Sequence, residues 1–120
     1  MTSAIVVDSD AREMATTISS AKVERVLPTE FALKQNRPNP FNPSTEISFS
    51  LPKPAEVTLV IYNVLGENVV TLAEGLRAAG THAVMWDGRD NSGSAVASGV
   101  YFYRLDAGEF CATRKMLLLK

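Results

Sequence analysis

The segment TEISFSLPKPAEVTLVIYNVLG, Thr45 to Gly66, decides the fold. In its first part Ile47, Phe49 and Leu51 alternate with Glu46, Ser48 and Ser50, which sets three apolar side chains on one face of a strand. In its second part Val57, Leu59 and Ile61 point one way while Thr58, Val60 and Tyr62 point the other. Both faces of that run are apolar, as expected of a strand at the centre of a sheet.

The same period continues on either side. ENVVTLAEGL follows Gly66, and the two-residue step Gly66-Glu67 predicts a tight hairpin. GTHAVMWDG puts His82, Val84 and Trp86 opposite Ala83 and Met85, and GVYFYRLDAG puts Tyr101, Tyr103 and Leu105 opposite Val100, Phe102 and Arg104. EFCATRKMLLLK aligns Phe110, Ala112, Met116 and Leu118, with Arg114 interrupting the stripe, and EFALKQN supplies a short first run. Runs about 8 to 12 residues apart, with no convincing helix between them, predict an all-β, immunoglobulin-like antiparallel sandwich of about seven strands. A parallel α/β sheet is excluded because the connections are too short to hold crossover helices.

Residues 30–120 are therefore read as one β-sandwich domain and residues 1–29 as a linker or the tail of a preceding region. The first part has no aromatic residue. It holds a thin helical stripe of Met14, Ile18 and Ala21 behind Ser9 or Asp10, and a short AIVV run that reads as a remnant of an earlier strand or an extra edge strand.

NRPNPFNPST, Asn36 to Thr45, precedes the first long strand. Pro38, Pro40 and Pro43 fix φ, donate no amide hydrogen and hold Arg37, Asn39 and Asn42 out of helix. The expectation is a stiff extended corner in which Asn39 and Asn42 bond their own downstream backbone and Phe41 enters the core. The missing donors are also expected to keep this edge from pairing with another chain.

Composition narrows the function. The 120 residues are 46 % hydrophobic and 21 % charged, with 12 basic and 13 acidic side chains and a net charge of −1. No basic stripe is available for phosphates, so nucleic acid is not an expected partner. No apolar run approaches the roughly 20 residues of a membrane helix, and the first residues do not read as a secretory signal. Cys111, the one cysteine, reads as a small strand residue and forms no internal disulfide.

The loop WDGRDNSG, Trp86 to Gly93, holds Asp87, Asp90 and Asn91, but Arg89 stands where a calcium loop wants an oxygen ligand. It reads as a connection whose Asx side chains bond the backbone, with Gly88 and Gly93 at positive φ. His82 lacks a second histidine for a zinc site and reads as a hydrogen-bonded strand residue. Neighbouring Tyr101, Phe102 and Tyr103 point alternately to opposite faces, so they form no flat sugar-stacking platform. No nucleophile, base and acid set appears; catalytic residues, metal ligands and cofactors are all expected to be none.

Four stretches taken together, FALKQNRPNPFNPSTEISFSLP, VTLVIYNVLGENVVTL, GTHAVMWDGRDNSGSAVASGVYFYRL and TRKMLLLK, resemble the C-terminal sorting domain of the type IX secretion system, type A. The resemblance runs from about Leu27 to Lys120. Its structural motif is carried by Pro38, Asn39, Pro40, Phe41, Asn42, Pro43, Gly66, Trp86, Asp87, Gly88, Asp90, Gly93, Gly99 and Tyr101; Arg37 departs from a frequent aromatic, and Cys111 lies at a variable position.

The resemblance implies a label at the end of an exported protein. The label is recognised in the periplasm, conducted across the outer membrane by a shuttle component and removed by a sortase-type peptidase before Phe31. The parent then reaches the cell surface or the medium. Recognition is expected along Arg114, Lys115, Met116, Leu117, Leu118, Leu119 and Lys120, where an edge strand offers backbone groups and positive charge. The run from Trp86 to Leu105 also resembles the immunoglobulin-like domain of flagellar hook-capping proteins, which implies an assembly module. A carbohydrate-binding or adhesion sandwich is the third alternative. Oligomeric state is left open by the sequence.

Overall fold

Apolar residues at every second position fix which way each strand must face, and the computed structural model, which describes residues 27–120, shows the sheets that result. The strands are β1 (Ala32–Leu33), β2 (Thr45–Leu51), β3 (Ala55–Tyr62), β4 (Asn68–Arg77), β5 (Gly80–Trp86), β6 (Gly99–Ala107) and β7 (Phe110–Leu118). They form a three-stranded sheet, β1-β2-β5, and a four-stranded sheet, β4-β3-β6-β7, in which every pairing is antiparallel. No helix occurs among the described residues. The linker, helix and AIVV readings of residues 1–26 lie outside them.

The two sheets meet on the side chains that the alternation singled out. Ile47, Phe49, Leu51 and Trp86 from one sheet face Val57, Leu59, Ile61, Tyr103, Leu105, Met116 and Leu118 from the other, and each is at most 1 % exposed. Burying such side chains stabilises by about 1.5–3 kcal/mol each, and the two facing layers supply most of the driving force. The run Val57 to Ile61 lies between β4 and β6, as its two apolar faces required. Between β2 and β3 the Pro52-Lys53-Pro54 turn carries the chain from one sheet to the other; its prolines offer no amide for continuing the ladder.

Two local expectations are corrected. Gly66-Glu67 is no two-residue hairpin: β3 stops at Tyr62, and residues 63–67 form a longer loop. Asn63 organises it, its Oδ1 accepting from the amides of Leu65 (2.9 Å) and Glu67 (3.0 Å) while its carbonyl accepts from Gly66 at φ +81°. An Asx side chain that caps its own loop competes successfully with the shortest possible turn. The two-residue turn falls instead between β6 and β7, where Ala107 pairs with Phe110 and Gly108 adopts φ +61°. The first run is also shorter than EFALKQN, because only Ala32 and Leu33 pair with β2.

Candidate recognition surface

The motif residues that lie far apart in sequence converge at one end of the sandwich. Phe41 leaves the proline segment and is 2 % exposed, its ring 5.6 Å from that of Trp86. Trp86 in turn meets Tyr101 edge to face at 5.4 Å, and its indole N–H donates to the Arg89 carbonyl at 2.9 Å. Gly88, at φ +77°, lies against Pro43: a Cβ added there would stand 3.1 Å from the Pro43 carbonyl oxygen. Only glycine satisfies both the backbone conformation and the close approach.

The proline segment does more than stiffen the corner. Asn39 does not turn back on its own backbone as expected; its Oδ1 accepts from the Leu117 amide at 3.0 Å. The Phe41 amide donates to the Leu117 carbonyl and the Leu119 amide to the Phe41 carbonyl, both at 3.0 Å, making a parallel bridge between Phe41 and Leu118. Gln35 adds a bond from its side-chain amide to the Lys115 carbonyl at 2.8 Å. It also pairs with the C-terminal half of β7 of the same chain, using the few donors that its prolines leave, and so covers an otherwise open sheet edge.

A buried polar knot lies beneath this strap. Asn36 is 1 % exposed; its amide donates to the Tyr103 hydroxyl at 2.8 Å and its Nδ2 to Thr45 Oγ1 at 2.9 Å. Thr45, 0 % exposed, passes its hydroxyl hydrogen to the Pro38 carbonyl at 2.9 Å. Tyr103 donates to the Lys34 carbonyl at 2.6 Å, so one phenol joins β6 to the chain entering the strap. Burial pushes that phenol above its ordinary value, against the lowering effects of the Asn36 bond and the Arg114 charge. Sequence reasoning missed Asn36 and Thr45 because a polar residue beside a proline run carries no periodic sign of burial. The one available signal was Tyr103, an inward-facing tyrosine that needs a partner for its hydroxyl.

The expected recognition residues divide by parity. Met116 and Leu118 point into the core, 1 % and 0 % exposed. Arg114 shares their face and donates through Nε to the Leu33 carbonyl of β1. Arg114, Lys115, Leu119 and Lys120 are exposed and Leu117 is half-buried, so the readable surface of this strand consists of its odd-numbered side chains, the final lysine and the part of Arg114 that its bond to Leu33 leaves open.

The Trp86–Gly93 loop closes on itself. Asp90 Oδ1 accepts from the amides of Ser92 and Ser94 (3.0 Å each) and the Ser92 hydroxyl (2.7 Å), and these bonds, the hydroxyl first, hold its carboxyl below the usual value. Gly93 takes φ +87° and Arg89 pairs loosely with Asp87 at 3.7 Å. Among the described residues no group of three or more His, Cys, Asp or Glu stands close enough to hold a metal. His82 bonds the Ala78 carbonyl at 2.8 Å and stacks on Phe49.

A two-sheet antiparallel sandwich whose end is closed by a strap, a tryptophan and a glycine turn defines an immunoglobulin-like module. Residues 34–109 match the model of the FlgD Ig-like domain, and the chain belongs to that family. FlgD from P. aeruginosa is similar at 28 % identity and a TM-score of 0.50, over 62 % of this chain and 58 % of that one. Dimeric latent PorU from Porphyromonas gingivalis has a TM-score of 0.60 at 18 % identity, covering 81 % of this chain and 10 % of that one. PorZ, an essential surface component of the type-IX secretion system of the same organism, has a TM-score of 0.51 at 20 % identity, covering 75 % and 11 %. The likeness to PorU and PorZ is one of fold. The chain spans 58 % of FlgD and about a tenth of the other two. A search of curated proteins finds no match.

Proposed function

We propose that this domain is a sorting label of the type IX secretion system, a non-catalytic module that directs an attached protein across the outer membrane. The observation that carries the reading is the strap: the proline motif, Trp86, Gly88 and the run Leu117–Leu119, all parts of the sequence resemblance, hold one another in one fixed surface. A transport receptor needs a constant shape to read, and a surface assembled from three distant segments exists only when the whole domain has folded. The fold likeness to a type-IX surface component agrees with this. Arg114, Lys115, Leu117, Leu119 and Lys120 then present the side chains to be read, and a sortase-type peptidase acts before Phe31. The label is in the periplasm in transit and at the cell surface or outside on arrival.

The experiment is to fuse the 120-residue chain behind a periplasmic reporter in a bacterium that carries the machinery. Reporter on the surface supports the role; reporter retained in the periplasm, beside an exported control label, removes it. The similarity to FlgD favours a second reading, an assembly module of the hook-capping type. It predicts incorporation into a filament scaffold with no cleavage before Phe31.

A further inference from the structure

The outer face of the four-stranded sheet carries chemistry that neither the core nor the strap uses. Strand register arranges it in rows. Asn68, Tyr62, Phe102 and Lys115 form one row from β4 through β3 and β6 to β7. Thr71, Val60, Arg104 and Thr113 form the next, and on the other side Val100 stands beside Leu117.

Tyr62, Phe102, Val100 and Leu117 are only half-buried, and Val64 and Leu65 in the adjoining loop are 66 % and 79 % exposed. Tyr62, Val64 and Phe102 line a shallow depression of about 340 Å³, with Arg104 and Thr113 at its side. The outside of the three-stranded sheet is different: apart from Met85 it carries Glu46, Ser48, Ser50, Thr81 and Ala83. A contiguous apolar patch confined to one face marks a contact surface.

The charges on this face indicate what it contacts. Arg104 is bonded to Asp106 at 3.2 Å, which compensates it, and among the described residues Lys115 has no carboxylate within ion-pair distance. Glu56, Glu74 and Asp106 nearly balance Arg104 and Lys115, so two such faces do not repel strongly, and no highly charged partner is selected. The central row reads amide, aromatic, aromatic, ammonium. Turned about a twofold axis along the strands between β3 and β6, the row becomes its own complement: aromatic meets aromatic, and ammonium meets amide.

We propose that this face is a self-complementary docking surface for a second copy of the chain, with Tyr62 of each copy against Phe102 of the other and Lys115 against Asn68. Aromatic pairs of this kind contribute beyond their buried area.

Sedimentation equilibrium of the full chain tests it. A concentration-dependent dimer is expected below about 1 mM. Phe102→Asp and Val64→Asp are each expected to weaken it by about tenfold or more. Met85→Asp, on the other sheet, leaves it unchanged. If Phe102→Asp does not fold by circular dichroism, Val64→Asp decides, since that side chain projects from an exposed loop. A chain that remains monomeric to about 1 mM overturns the proposal. Dimers indifferent to both patch substitutions, or broken by Met85→Asp, do the same. No readout involves export, so this proposal and the sorting role stand or fall separately.

Discussion

Tyr103 shows how much one hydroxyl settles in this molecule. It donates to Lys34 and accepts from Asn36, residues almost seventy positions away, and it is 0 % exposed. Tyr103→Phe keeps the ring but leaves the Asn36 amide without an acceptor, so a loss of about 1–3 kcal/mol is expected in urea unfolding. Because burial raises this phenol above 10.0 in the folded protein, its contribution is intact below the unfolded phenol value and declines as pH rises through the folded one. Alkaline unfolding followed by circular dichroism should therefore begin near pH 10 in the wild type and be less steep in Tyr103→Phe. Trp86→Ala is expected to cost about 3–5 kcal/mol, read as a lowered melting temperature, since it empties the site shared with Phe41 and Tyr101. Phe41 was legible as a core residue because it is an isolated aromatic in a polar stretch, and Trp86 because it continues the strand alternation of His82 and Val84. Asn36 and Thr45 were not, because a hydrogen-bonded knot is defined by partners that local sequence does not reveal.

At the scale of elements, β7 has two roles. Its even-numbered residues complete the core, while its outer edge is occupied by the strap through Leu117 and Lys115. Deleting KMLLLK removes Met116 and Leu118 together with the strap's partners. The truncated chain should lose its cooperative thermal transition, so any loss of export would report unfolding and not lost recognition. Lys115→Glu with Lys120→Glu separates the two: it should fold like the wild type, and export below wild type would place recognition on these side chains. Gly88→Ala forces a side chain into the left-handed region and toward the Pro43 carbonyl; it should destabilise by about 1–3 kcal/mol in thermal melts. The strands were readable because a two-residue period is a local property, and each sheet is apolar on its core face. The turns were less so: Gly66 suggested a short hairpin, but Asn63, three residues upstream, decides the loop through its side chain. The strap's pairing was hidden for a similar reason, since prolines say which bonds are absent and not where the remaining donors go.

For the whole molecule, two surfaces emerge with different expected consequences. Disruption of the strap should abolish the fold and, under the proposed sorting role, export with it; Val64→Asp at the outer sheet face should change association and leave the melting temperature in place. The sandwich itself was legible from the spacing of its strands, and the convergence of motifs at one end became visible only when the two sheets were assembled.

The bond from the Leu117 amide to Asn39 spans 78 positions, and the bond from Arg114 to Leu33 spans 81. Contacts of such span form only after much of the intervening chain has been drawn together, and topologies dominated by them gain structure on the scale of milliseconds to seconds. A newly made polypeptide of this design stays open for longer than a helical bundle of equal size. Until those contacts close, its apolar strands remain open to water and to other chains.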